Sequence, residues 1–153
     1  NIGNTDSTEF DLHEVIYSLR ELYAAYDKVS FAWNPVPGQV RLMADKTQMN
    51  RLFTNLFANA VEACSEKPHC HIIVNEKIEG DRIQISIRDN GEGIPADMQE
   101  RIFVPNFTTK SSGTGLGLAM CKGIVEQAKG RIWFETELGA GTVFHVELPM
   151  LVS

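Results

Sequence analysis

Two asparagines, Asn55 and Asn59, stand four residues apart in a stretch where Met49, Leu52, Phe53, Leu56, Phe57 and Ala60 recur at helical spacing. At about 100° per residue the two amides lie roughly 40° apart on one helix face. Asparagine is a poor helix former, and buried amides need hydrogen-bond partners that a helix covering a sheet rarely supplies. An amide oxygen is a hard donor suited to Mg2+, and it brings no charge next to phosphates. Taken alone, the pair fits a structural role equally well.

A second group is Asp89-Asn90-Gly91-Glu92-Gly93, at the end of a strand where the chain must turn. An aspartate that accepts from an exocyclic amine, beside glycines that let a flat base approach the backbone, would suit an adenine site. The same pattern is also an ordinary turn. A third is Gly113-Thr114-Gly115-Leu116-Gly117-Leu118, where glycines feed directly into a helix. Backbone N–H groups at a helix N-terminus attract anions without basic side chains. The third spaced glycine of a dinucleotide fingerprint is replaced by Leu118, and no P-loop pattern occurs in the chain.

These groups need a scaffold, and the spacing of apolar residues predicts one. Phe10 to Tyr26 is predicted as an amphipathic helix, and Val29–Trp33 and Val40–Ala44 as a hairpin around Pro35, Pro37 and Gly38. Asp45 is the predicted N-cap of the asparagine helix, which runs to about Glu66 and is ended by Pro68. A second hairpin follows from His71–Lys77 and Arg82–Arg88, where Ile83, Ile85 and Ile87 alternate with polar residues. Pro95 opens a short helix to about Phe103. Gly115–Lys129 is predicted helical and is stopped by Gly130, and Arg131–Glu137 with Thr142–Leu148 closes the chain as a third hairpin. Hairpins separated by helices give an α+β fold in two layers, with a mixed, mostly antiparallel sheet covered on one face by about three helices.

Length and composition bound the function. The 153 residues suit one domain, and no apolar run approaches the ~18 residues of a membrane span. A net charge of -6 speaks against a nucleic acid partner, which would demand a basic face. Cys64, Cys70 and Cys121 have no paired spacing, so a disulfide framework is not expected and a reducing, cytoplasmic location is. Zinc at Cys64, His69, Cys70 and His71 is set aside, because Cys70 in a strand would face away from both histidines. The start at Asn1 and the lack of a secretory signal suggest a piece of a longer protein, with residues 1–9 as a tail from a preceding region.

The order of these motifs resembles the catalytic, ATP-binding domains of bacterial sensor histidine kinases. Asn55-Leu56-Phe57-Ala58-Asn59-Ala60, Asp89 to Ile94, Ile102-Phe103-Val104-Pro105-Asn106-Phe107-Thr108-Thr109-Lys110 and Gly113 to Leu118 match the N box, first glycine box, F box and second glycine box of that family. The short Thr-Thr-Lys segment is most similar to the nitrogen-regulation type. The resemblance spans about residues 10–150, leaves 151–153 as a tail, and implies the two-layer α/β sandwich known as the Bergerat fold.

It also implies roles. Asn59 would ligate Mg2+ with Asn55 beside the phosphates, and Asp89 would accept from the adenine amine with Thr142 in support. Gly91, Gly93 and Ile94 would border the base. Gly113, Thr114, Gly115, Leu116, Gly117 and Leu118 would line the triphosphate. Residues 104–114 would form a lid over the nucleotide, with Phe103 and Phe107 as its anchors, Thr108 and Thr109 beside the nucleotide and Lys110 on a phosphate. Many members carry a basic residue and then an aromatic three and four places after the second asparagine. Here Glu62 and Ala63 take that part of the nucleotide wall, without a cation for the phosphates.

The same fold serves ATP-hydrolysing clamps, in which a glutamate four residues before the metal-binding asparagine activates water. That position is Asn55, and an amide is no general base near neutral pH. The resemblance therefore implies phosphoryl transfer from ATP to a histidine on an upstream helical dimerisation domain of a homodimeric parent, and onward to a response-regulator receiver domain. His13 is not that histidine, since the roughly 12 residues before it cannot form a two-helix hairpin. A regulatory nucleotide-binding module and an anti-sigma-type serine kinase are the alternatives.

Overall fold

The computed structural model describes residues 6–105 and 117–151. In chain order the elements are β1 (Ser7–Asp11), α1 (Leu12–Tyr23), β2 (Val29–Asn34), β3 (Arg41–Asp45), α2 (Lys46–Ala63), β4 (Cys70–Glu79) and β5 (Arg82–Arg88). A single 3₁₀ turn (Gln99–Arg101), α3 (Gly117–Gln127), β6 (Arg131–Glu137) and β7 (Gly141–Pro149) follow. The main sheet has the order β2-β4-β5-β7-β6, in which only the β2-β4 pair is parallel. Three helices pack on one face of it, with α2 in the middle against both α1 and α3. The predicted α+β layering and the second and third hairpins are all present.

The alternation in β5 places Ile83, Ile85 and Ile87 in the core opposite Phe53 and Phe57 of α2, every one of them 1% exposed or less. Burying one such side chain contributes on the order of 2 kcal/mol, so this apolar stripe is what presses α2 onto the sheet. Asp45 caps α2 as predicted, its Oδ1 accepting from the Gln48 N–H at 3.2 Å.

Several expectations are corrected. Residues 7–9, expected in a tail, and Phe10, expected in a helix, form β1 instead, and α1 starts only after Asp11, whose Oδ1 accepts from the His13 N–H. Val29–Trp33 and Val40–Ala44 are not a hairpin: β2 joins the main sheet beside β4, while β3 pairs with β1 in a separate two-stranded sheet. The connection between them holds two prolines without N–H groups, and two of its other donors are tied elsewhere, Val36 N–H to Glu76 Oε1 and Val40 N–H to Asp11 Oδ1, each at 3.0 Å. The asparagine helix stops at Ala63, before Pro68, and the helix expected after Pro95 is reduced to the 3₁₀ turn. The expectation against disulfides also fails, since Cys64 at the end of α2 and Cys70 at the start of β4 are bonded, with a Cα–Cα distance of 5.4 Å.

His13 has a structural role, in keeping with its exclusion as a phosphoacceptor. Its Nε2 lies 2.7 Å from Glu76 Oε1, and the Glu76 side chain is completely buried. The same carboxylate accepts from Trp33 Nε1 at 2.9 Å and from Val36 N–H, so it binds α1, β2 and the proline-rich connection together. Replacing Glu76 by Ala leaves three part-buried polar groups without their shared partner, and Glu76→Ala is expected to lower unfolding stability by about 3 kcal/mol in a urea titration. A loss under about 1 kcal/mol would show that this cluster does not hold the connection in place.

Candidate functional site

Topology gathers the motifs at one end of the sheet. β4 and β5 are antiparallel, so the end of β5 returns to where β4 began, beside the last turn of α2. β5 and β7 are antiparallel as well, which sets the start of β7 next to Asp89, and β6 ends at the same place. Residues far apart in sequence thus meet: Ala63 O accepts from the Glu92 N–H at 3.2 Å, and Glu92 O accepts from the Gly139 N–H at 2.8 Å.

Asp89 is 5% exposed, and its Oδ1 accepts from the N–H groups of Gly91 at 2.9 Å and Thr142 at 3.2 Å. A carboxylate held by two backbone donors is fixed in direction as well as in place. Gly91 is required by packing: a Cβ there would sit 2.5 Å from Ala63 O. Gly93, at φ +79°, makes a similarly close approach to Glu137 O. Both glycines let the loop lie against the protein's own backbone, a role that precedes any contact with a base. The Ile94 N–H donates to Thr136 Oγ1 at 2.9 Å, which anchors the exit of the loop on β6.

Asn55 and Asn59 are both half-buried, one turn apart on α2. Asn55 Nδ2 donates to Arg51 O at 2.8 Å, and its Oδ1 lies 3.3 Å from the place a Cβ of Gly117 would occupy. The missing side chain at Gly117 thereby lets the asparagine face of α2 meet the first residue of α3, with Leu118 half-buried beside it. Glu62 and Ala63 are half-buried on the last turn of α2, within reach of the glycine loop. Cys121 of α3 points its thiol at Leu52 O, 3.7 Å away, and burial pushes that thiol up to about 12, so it is a neutral packing group and no nucleophile.

Phe103 packs against Phe134 and Phe144, with ring centroids 6.1 and 6.4 Å away, and Lys122 Nζ lies 5.9 Å from its ring centre. These contacts hold Phe103 against β6 and β7. Phe107, Thr108, Thr109, Lys110, Gly113, Thr114, Gly115 and Leu116 lie outside the described residues. Among the described residues no three His, Cys, Asp or Glu converge as a metal site.

Sequence reasoning missed three contributors. Thr136 had no motif to mark it. Lys67 donates to Gly139 O at 3.0 Å, closing the loop after α2 over the β6–β7 turn. Asn90 accepts from the His71 N–H and donates to His69 O, tying the glycine loop to the start of β4. An asparagine inside a glycine motif was the only available signal for any of them.

Residues 44–152 match the family model described as histidine kinase-, DNA gyrase B-, and HSP90-like ATPase. Among curated proteins, the sensor histidine kinase ZraS of Klebsiella oxytoca is 37% identical over 143 residues, covering 92% of this chain and 31% of that protein. The chain thus spans less than a third of the curated relatives it matches. Among solved structures, the catalytic domain of histidine kinase ThkA superposes with a TM-score of 0.84 at 33% identity, covering 95% of this chain and 96% of that one. ThkA in complex with the response regulator protein TrrA superposes at 0.78 with 30% identity, covering 95% and 42%. Among the described residues, no helix is long and apolar enough to cross a membrane.

Proposed function

Because this chain belongs to the histidine kinase-, DNA gyrase B- and HSP90-like ATPase family, and within it to the histidine kinase catalytic domains, we propose that it binds Mg-ATP and delivers the γ-phosphate to a histidine of a separate helical domain. One observation carries the choice among the activities this fold supports. The position four residues before Asn59 is occupied by an amide, half-buried and with Nδ2 committed to Arg51 O. Asn55 has no basic lone pair to take a proton from water, which disfavours hydrolysis and leaves transfer to a better nucleophile.

The adenine amine is assigned to Asp89, with Thr142 in support and Gly91, Gly93 and Ile94 around the base. Asn55, Asn59, Glu62 and Ala63 border the sugar and phosphates from α2, with Gly117 and Leu118 at the start of α3. Asn59 offers the hard amide oxygen that suits Mg2+, an ion usually held by few protein oxygens together with phosphates. When bound, the ion would neutralise phosphate charge. The chain itself contributes positioning, with no covalent chemistry of its own. In transfer, the bond from the γ-phosphorus to its bridging oxygen breaks, a bond to the imidazole nitrogen forms, and ADP leaves. The likeness to ThkA, which has been seen with a response regulator, supports a receiver domain as the next acceptor.

Incubated with γ-labelled ATP, this chain should bind nucleotide without becoming labelled, whereas a longer form carrying the helical domain should label on histidine in that domain. Label at His13 would refute the assignment, as would rapid release of inorganic phosphate by this chain alone.

A further inference from the structure

Thr136 lies at the meeting point of three site elements, and nothing in the nucleotide motifs accounts for it. It stands on β6, half-buried, with its Oγ1 accepting from the Ile94 N–H at 2.9 Å and lying 2.9 Å from Thr142 Oγ1. The third contact, to Gly141 O, is longer at 3.3 Å, beyond the usual range for a hydroxyl donor. Thr142 in turn is 4% exposed, and its backbone brackets Asp89 on both sides: its N–H donates to Asp89 Oδ1, and its carbonyl accepts from the Asp89 N–H.

The proton inventory of this cluster is short. Each threonine hydroxyl holds one proton and can accept twice. One acceptor position of Thr136 is taken by Ile94, and its one proton has two possible acceptors, Thr142 Oγ1 at 2.9 Å and Gly141 O at 3.3 Å, of which the nearer makes the stronger bond. If Thr142 donates to Thr136, Thr142 shows a base only acceptor lone pairs. If Thr136 donates to Thr142, the Thr142 proton is released toward its surroundings.

We propose that Thr136 is a positioning residue for base recognition: by donating to Thr142 it turns the Thr142 hydroxyl into a donor beside the Asp89 acceptor. The inference rests on the assignment of Asp89 to the base amine. An acceptor next to a donor is the complement of the adenine edge, which offers an exocyclic amine donor next to a ring-nitrogen acceptor. Hypoxanthine offers an oxygen acceptor next to an N–H donor, the reverse pattern. Thr136 would therefore act on selectivity for adenine over hypoxanthine and guanine without touching the base.

The test is a titration of ADP and inosine diphosphate against the chain and its variants Thr136→Val, Thr136→Ser and Asp89→Asn. Thr136→Val keeps the shape and removes the hydroxyl. It should weaken ADP at least fivefold while changing inosine diphosphate less than twofold, and Thr136→Ser should stay within twofold of the parent for both ligands. An unchanged ADP affinity in Thr136→Val overturns the proposal. So does an equal loss for both ligands, which is the mark of a structural role, or a Thr136→Ser variant as weak as Thr136→Val. If Asp89→Asn binds ADP as the parent does, the base site itself is misassigned, and that result is separate from the behaviour of Thr136.

Discussion

Asp89→Asn is expected to weaken ADP binding about 100-fold, roughly 3 kcal/mol, while leaving the fold intact. The geometry makes this a demanding substitution. Asp89 Oδ1 is held by the N–H groups of Gly91 and Thr142, and an asparagine would keep its own oxygen there to satisfy both. Its Nδ2 would then take the place of the second carboxylate oxygen and present donors where the adenine amine also presents donors. The loss is thus a charge-assisted hydrogen bond exchanged for an opposed pair of N–H groups. Calorimetric titration with ADP reads the affinity, and a thermal melt within a few degrees of the parent confirms the fold. Affinity within threefold of the parent would remove Asp89 from the base site.

The second large effect is on stability. Gly141 has φ +128°, and a Cβ there would stand 2.1 Å from the carbonyl oxygen of Asp89, a backbone atom that cannot give way cheaply. Gly141→Ala combines a backbone conformation that L residues rarely adopt with a backbone clash, and it should cost at least about 4 kcal/mol by urea unfolding. Gly139 in the same turn provides the control. It too has positive φ, at +82°, but open space lies around its Cβ position, so Gly139→Ala should cost only about 1 kcal/mol. Equal losses at the two positions would mean that the approach of β7 to Asp89 does not constrain the chain. Because the carbonyl that Gly141 accommodates belongs to Asp89, any folded Gly141→Ala protein should also bind ADP poorly.

How much was legible beforehand differs by element for physical reasons. The strands β5 and β7 and the helix α2 announce themselves through local periodicity, since the alternation of Ile83, Ile85 and Ile87 or the helical recurrence of Leu52, Phe53 and Leu56 follows directly from which face is buried. Hairpins with short turns were equally clear, because little chain separates their strands. β1 and β2 were misjudged because their partners are distant. β1 pairs across the whole of α1 and β2 with β3, and β2 pairs in parallel with β4 across β3 and α2, choices that no residue near either strand encodes.

The candidate site divides in the same way. The sequence by itself determined the chemical inventory: two amides one turn apart, an aspartate before spaced glycines, an amide where hydrolysis would need a carboxylate, and their order along the chain. Those are properties of residue type and short spacing, and folding does not alter them. Only the tertiary structure decided that Asp89 is clamped by Gly91 and Thr142, that Gly117 makes room for Asn55, and that Thr136, Lys67 and Asn90 belong to the same neighbourhood. Strand pairing set those contacts by bringing the ends of β5 and β6 to the start of β7, beside the last turn of α2. A hydroxyl whose function depends on a neighbour six residues away across a turn, or a glycine whose need arises from a carbonyl fifty residues back, leaves no local pattern to read.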